Sequence, residues 1–428
     1  MNEIRDLIVG IDFSKEYSQI AYYDRKAGEP VSVAQVVGSM NYEIPTRLCR
    51  RTDAKGGYCI GQEADYFARE RDGILIEDLY GICEGESSVA VGEELCEPWR
   101  LVSHFFMELL NLLGTSDVVR NTRCVVVAVP ELSSIQVRNL SRALEETGFL
   151  REEYMLMDYA QSFYYYAMTQ RRENWNRNIG WYEFQHNDVT FHRLSVNANA
   201  APVLVRLATI DSRTLPGEKN KRDLEFCGFI GQTLGEDLYS TVFITGGGFS
   251  TDWADQSSKT LCQQQRKVFY GNNLFAKGAC AAGKERKENN KLRTYRFLSD
   301  SMILSNVGMD MRIMGAPSYY PLIEAGSNWY EYHPSCELIL DGTNELIFVV
   351  GKAGEQEKKK IAMQLPGLPQ RPPRTTRLRI EMAYISREEC VVTVRDLGFG
   401  EMFPSSGKVW KEAIRWLWEP EKDAAAKE

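Results

Sequence analysis

Long apolar runs are missing from the 428 residues. The longest, 124–129, falls far short of the roughly 20 residues that a membrane helix needs. The N-terminus has no basic segment followed by an apolar core, so we expect no leader peptide and a cytoplasmic protein that does not enter a membrane. Glycine (33) and proline (15) are too few for a collagenous or largely disordered chain. None of the ten cysteines forms a C-x-x-C pair, and several lie in apolar runs, so they read as reduced core thiols. The four histidines lack H-E-x-x-H spacing, so metal catalysis is not expected. Net charge is −8, which makes nucleic acid a poor partner, because such binding rests on neutralising phosphates.

What is present is an ordinary globular mix, 43% hydrophobic and 26% charged. At about 150 residues per domain the length suggests two or three domains. Residues 7–13 form an apolar run ending near an acid, followed after 14–16 by the β-rich run 17–23. This reads as a strand hairpin. Leu101, Phe105, Leu109 and Leu112 recur at helical spacing behind Pro98 and before Gly114, which predicts a helix over 98–113. Residues 124–130 read as a buried strand, 135–147 as a helix, 154–157 as a strand and 160–168 as a helix. That alternation predicts an α/β layer. A second hairpin is expected over 180–196, then strands over 203–210 and 241–245, the latter opening into Gly246-Gly247-Gly248. The charge-dense stretch 284–293 reads as a linker. Beyond Phe297 alternating runs take over. Leu378, Ile380, Met382 and Tyr384 share one face, and Arg377, Arg379 and Glu381 the other, which predicts an antiparallel β domain. Residues 410–418 read as a terminal helix.

The order of these pieces resembles the seventy-kilodalton heat-shock chaperones of the actin-like ATPase superfamily. Ile8-Val9-Gly10-Ile11-Asp12 with Tyr17-Ser18 resembles the family's first phosphate hairpin. Ile44-Pro45-Thr46 and Ile60-Gly61-Gln62-Glu63-Ala64 resemble two lobe-I signatures. Val126 to Pro130 and the helix behind it, 245–250, 277–282, 297–304, 365–369 and 372–374 match further pieces in order. The resemblance implies an α/β actin-like two-lobe fold with a C-terminal antiparallel β-sandwich. On this reading lobe I spans 1–178, a truncated lobe II 179–292, a linker 293–305, the sandwich 306–409, and a terminal helix and tail 410–428. The stretch between Glu183 and Gly246 is too short to carry the family's helical subdomain.

The resemblance also implies where ATP or ADP with Mg²⁺ would sit. A phosphate requires closely approaching backbone N–H groups, and the metal requires carboxylates. Candidate nucleotide-binding residues are Asp12, Ser14, Lys15, Glu183, Gly246, Gly247, Gly248 and Ser250, with Asp12 and Glu183 as candidate Mg²⁺ partners. The chain departs from the family at four points. Ser14-Lys15-Glu16 replaces a glycine–threonine turn. Glu183 to Asp188 replaces an aspartate followed by glycines, and added side chains hold a phosphate off. Glu77-Asp78 falls near the catalytic lysine, and Tyr159 near the catalytic glutamate. Together these predict a pseudo-ATPase with no catalytic residue, a chaperone-like protein that binds another polypeptide. Candidate peptide-binding residues are Met309, Met311, Met314, Trp329 and Tyr330. The alternative is a chaperone-type ATPase with unorthodox phosphate-binding residues. His186 and His192 read as solvent-facing hairpin residues, and the arginines at 371, 374, 377 and 379 as a solvated strand face.

Overall fold

A computed structural model describes residues 6–415 apart from 37, 71, 201, 272, 290 and 354–356. The chain divides into two compact units, Met1–Phe297 and Leu298–Glu428.

The first unit opens with an antiparallel meander of β1 (Leu7–Phe13), β2 (Tyr17–Asp24) and β3 (Glu29–Val33). The run in β1 is unbroken because both of its faces are covered: Ile8, Val9, Ile11 and Phe13 are all fully buried. The short β4 (Ile44–Pro45) pairs with β2. A small sheet follows, made of β5 (Leu48–Arg51), β6 (Tyr58–Ile60) and β7 (Gly73–Ile76), with α1 (Gly61–Glu70) between the last two. Next come α2 (Leu79–Cys83), the pair β8 (Val89–Val91) and β9 (Glu94–Cys96), α3 (Pro98–Asn111) and α4 (Val118–Asn121). Pro98 stands in the first turn of α3, where its missing N–H costs nothing, and Leu101, Phe105 and Leu109 face inward. Then β10 (Thr122–Val129) runs parallel to β1, α5 (Ser134–Glu146) follows, β11 (Tyr154–Asp158) runs parallel to β10, and α6 (Tyr159–Thr169) leaves its end. A reciprocal capping box between Ser133 and Gln136 starts α5.

The second half repeats this plan. Strands β12 (Asn178–Gln185), β13 (Asp188–Asn197) and β14 (Val203–Thr214) form another antiparallel meander. The single helix α7 (Lys219–Leu234) leads to β15 (Tyr239–Thr245), parallel to β12. After α8 (Asp255–Leu261) comes β16 (Lys267–Tyr270), parallel to β15, and then α9 (Leu274–Lys284). The strand orders are β11-β10-β1-β2-β3 and β16-β15-β12-β13-β14, and β17 (Tyr295–Leu298) extends the second.

Helix α9 packs on β1 and crosses α6, and this explains its alanine and glycine content. A β-carbon on Gly278 would lie 2.2 Å from the Ser162 carbonyl oxygen, and one on Gly10 2.1 Å from that of Ala276.

The expected linker over 284–293 is instead part of the first unit. A π-helical turn, Glu285–Asn289, continues α9, and a 3-10 turn, Lys291–Thr294, leads into β17. Glu288 accepts from Arg25 at 2.7 Å, from Arg123 at 3.2 Å and from Lys284. The hydrogen bond from Arg25 comes first among the causes that hold its carboxyl down to about 2. Residues 293–298 of the expected linker 293–305 are likewise built into helix and strand.

The second unit holds two antiparallel sheets. One has the order β19-β18-β21-β22, from β18 (Ser305–Ile313), β19 (Ala316–Ile323), β21 (Glu345–Lys352) and β22 (Lys358–Gln364). The other is β20-β23-β24-β25, from β20 (Ser335–Leu340), β23 (Thr376–Tyr384), β24 (Glu389–Gly398) and β25 (Val409–Arg415). Leu378, Ile380, Met382 and Tyr384 of β23 are buried, in alternation with exposed or half-buried neighbours. The arginines are not an open basic patch. Arg377 and Arg379 reach Glu337, and Arg374 reaches Asp341. Arg371 grips the buried Asp396 with two hydrogen bonds of 2.9 and 2.8 Å. Burial works against that carboxylate, but Arg371 and Ser406 outweigh it and hold Asp396 well below the usual range.

The expected terminal helix is also overturned. Its described part lies in β25, paired with β24, while 416–428 fall outside the described residues. Trp410 and Ile414 are both buried, and their spacing of four reads as one helical turn as readily as alternate strand positions.

Gly278→Ala tests the α6–α9 crossing. Alanine is the better helix former by about 1 kcal/mol, yet a backbone oxygen stands where its methyl would go. We expect a net loss of about 1–3 kcal/mol, read as a lower urea midpoint.

Candidate functional site

In parallel sheets ligands bind beyond the carboxyl ends of the strands, where helices begin. Here those ends belong to β1 and β10 in one sheet and β12 and β15 in the other. Asp12 pairs in register with Ala128, and Glu183 with Thr245, so the two acids occupy similar places near the strand ends. Helix α6 starts at Tyr159, directly behind β11, and Asp158 caps it by accepting from the Gln161 N–H at 2.7 Å.

Asp12 is buried and accepts a 2.6 Å hydrogen bond from the Tyr159 hydroxyl. Burial raises its pKa to about 7 against the opposing effect of that hydroxyl, and Glu43 pushes the same way as burial. Gln19 sits opposite Asp12 in the register of β2; it is also buried, and its Oε1 lacks a hydrogen-bond partner among the described residues.

Aromatic rings fill the space behind this pair. Tyr159 stacks flat on Phe275 of α9, with centroids 3.6 Å apart and an angle of 4°. Phe275 meets Trp181 edge-on at 5.7 Å, and Phe163 stacks on Trp181 at 4.8 Å. Trp181 donates to Thr245 Oγ1 at 2.8 Å and stacks on His192 at 4.5 Å. His192 is therefore not the solvent-facing residue expected. Its Nε2 lies 3.4 Å from Glu183 Oε2 and its Nδ1 3.1 Å from Thr209 Oγ1. The strand period places Trp181, Glu183 and the facing His192 on one side of the sheet, which was open to sequence reading. His186 does stand in solvent, at the hairpin tip.

The two hairpin tips approach each other. Ser14 Oγ closes the first by donating to the Tyr17 carbonyl at 2.6 Å. Lys15 and Glu16 are exposed, and Glu16 reaches His186 of the second tip at 3.8 Å. The triple glycine serves a contact within the chain. A β-carbon on Gly246, whose φ is +91°, would lie 1.8 Å from the Phe184 carbonyl oxygen, and one on Gly248 would lie 2.1 Å from that of His186. Gly247 is exposed with open space around it, and Ser250 Oγ accepts from the Asp252 N–H at 3.2 Å.

Arg222, which sequence reading missed, bolts these loops together. It donates to the carbonyls of His186 (2.7 Å), Gly248 (3.1 Å) and Pro216 (3.3 Å) and to Asn187 Oδ1 (2.8 Å). Its guanidinium also covers the Trp253 ring, and burial lowers its pKa. Nothing in the local pattern marks this arginine, since its partners are brought in by tertiary folding.

These residues do not fit a magnesium triphosphate. Gly246 and Gly248 lie against hairpin carbonyls, Asp12 is held by a phenol and carries a raised pKa, and the hairpin tips approach each other. Glu77 and Asp78 supply no cation, and Asp78 caps α2 by accepting from the Gly81 N–H. A cavity of about 480 Å³ lies elsewhere, lined by Thr214, Leu215, Pro216, Lys221, Leu224 and Glu225.

In the second unit Met309 and Trp329 are buried, Met311 and Tyr330 are half-buried, and Met314 is fully exposed at a turn. Met309 alternates with the exposed Asp310 and faces inward, so the five candidates do not form one surface. Among the described residues no cluster suits a metal ion, and no helix is long and apolar enough to cross a membrane. All ten cysteines are free.

Residues 29–300 match a family described as "Family of unknown function (DUF5716) C-terminal", and residues 302–416 match "Domain of unknown function (DUF8552)". No curated protein matches the chain.

The raised pKa of Asp12 predicts a pH dependence. The folded state holds this proton and the unfolded state gives it up near 3.8, so stability falls as pH rises from there through about 7, then levels off. The expected slope is about 1.4 kcal/mol per pH unit. Asp12→Asn keeps an acceptor for Tyr159 and should flatten that part of the profile in denaturant titrations. An unchanged slope would show that Asp12 does not hold the proton. Arg222→Met should cost about 3 kcal/mol or more, since four acceptors lose their donor.

Proposed function

The chain belongs to the DUF5716 family, and we propose that it is a pseudo-ATPase on an actin-like scaffold, a chaperone-like protein that holds another polypeptide in the cytoplasm. One observation carries the reading: the strand ends that would receive a triphosphate are closed by the chain's own groups. Tyr159 occupies Asp12, aromatic rings fill the space behind it, and Arg222 ties the glycine loop to the second hairpin. The repeated strand order supports the actin-like scaffold, and the two antiparallel sheets of the second unit are the parts that a sandwich requires. Polypeptide binding is supported by apolar side chains exposed along the β18–β19 hairpin, Ile313 and Met314 at its turn and Tyr319 and Tyr320 further along β19. Neither a nucleic acid nor a membrane is part of the proposal.

A second reading keeps nucleotide binding without a standard phosphate cradle. The buried Oε1 of Gln19 beside Asp12, without a partner among the described residues, favours it, because buried acceptors are normally satisfied.

Thermal unfolding with millimolar Mg-ATP or Mg-ADP separates the two. A nucleotide at 100 times its dissociation constant would add about 2.7 kcal/mol. We expect no shift, and a clear rise in Tm would favour the second reading. Binding of a permanently unfolded, carboxymethylated polypeptide, followed by fluorescence anisotropy, tests the partner. We expect Met314→Asp combined with Tyr319→Ser to weaken it at least tenfold, and no binding by the parent protein would overturn the proposal.

A further inference from the structure

The small sheet of the first unit brings two thiols together. Strands β5 and β6 place Cys49 directly opposite Cys59. Two residues along the same ladder, the Arg51 N–H donates to the Gly57 carbonyl at 2.9 Å. Antiparallel pairs alternate between hydrogen-bonded and open, so Cys49 and Cys59 again form a hydrogen-bonded pair. The α-carbons of such a pair lie about 5.5 Å apart, inside the roughly 4.4–6.8 Å that a disulfide spans. Directly opposed side chains leave a sheet on the same face, and both thiols join one apolar cluster with Ala64, against which Phe67 and Leu75 pack. Cys59 Sγ lies 3.7 Å from the Cys49 carbonyl oxygen. Among the described residues no other strand register sets cysteine against cysteine.

We propose that Cys49 and Cys59 are a modification site, at which a peroxide joins β5 and β6 through a cross-strand disulfide. The first thiolate attacks one peroxide oxygen and breaks the O–O bond, giving a sulfenic acid and a hydroxide, which takes up the proton that the thiol released and becomes one water. The second sulfur displaces the sulfenic hydroxyl, which leaves as a second water when its proton is supplied by that thiol. Two thiols and one peroxide thus yield one disulfide and two waters, and the peroxide takes up the two electrons.

Burial gates the reaction. Cys49 and Cys59 are nearly or wholly inaccessible in the closed ladder. Burial also raises both pKa values, that of Cys59 to about 12, so little thiolate is present. The cross-link therefore forms while this end of the sheet is open. The connecting turn, which includes the exposed Lys55 and the positive-φ residues Gly56 and Gly57, is where such opening starts. Closed again, the sheet protects its disulfide from exchange.

Full-length protein treated with hydrogen peroxide at neutral pH tests this. We expect the thiol count to fall from ten to eight. Trypsin cuts after Arg50, Arg51 and Lys55, so digestion without reductant should yield peptides 48–50 and 56–69 as one mass. Dithiothreitol should separate them. Cys59→Ala should abolish the joined mass, while Cys124→Ala should leave it intact. A count that stays at ten, oxidation to sulfinic acid without a joined mass, or a disulfide between other cysteines would each overturn the assignment. The mapping of the unmodified sequence decides the matter even if a variant fails to fold.

Discussion

The crossing of α6 and α9 organises the first unit. At Ser162 and Gly278 the two helices touch backbone to backbone, and α9 lies as closely on β1 at Gly10. No side chain separates these surfaces, so the positions of the helix starts follow directly from the positions of the sheets. Tyr159 and Phe275 are carried by those starts. Their stacking at 3.6 Å is therefore a consequence of the crossing, and the closure of the strand ends follows from the stacking.

That closure decides the electrostatics. Asp12 would be an ordinary ionised carboxylate if water or a cation reached it. Enclosed by its own fold, it has its pKa raised to about 7 by burial, although the hydrogen bond from the Tyr159 hydroxyl works against that rise. Glu183 has a different solution, facing His192 in a half-buried position. The glycine loop completes the picture. Gly246 and Gly248 are required by the approach of the Phe184 and His186 carbonyls, and a buried guanidinium takes the carbonyls of His186 and Gly248. A glycine-rich turn at a strand end is thus compatible with a wholly internal role, as general experience of fold and function warns.

Charge pairing in the second unit follows a simpler rule. The outward face of the β20-β23-β24-β25 sheet alternates arginine and glutamate across neighbouring strands, and each arginine meets an acid. Exposed pairs of this kind contribute little stability, but they remove the open basic face that a linear reading suggests. Exposed apolar side chains lie elsewhere in the unit, among them Ile313 and Met314 at the turn of the β18–β19 hairpin.

Local pattern determined much of this protein. The unbroken run in β1, the capped α5 and the alternation in β23 each follow from burial on two faces, one helical stripe or one sheet face, and these periods are written in consecutive residues. The early strands and helices were legible for that reason. Residues 284–293 and 410–415 were not, because their state depends on distant partners. Glu288 is held by Arg25, and Trp410 and Ile414 are held by the β24 ladder. Only the tertiary structure could bring Tyr159 to Asp12, Arg222 to His186 and Gly248, or Cys59 opposite Cys49. Periodicity tells which side of an element is covered, whereas the identity of the covering group is set by contacts across the chain.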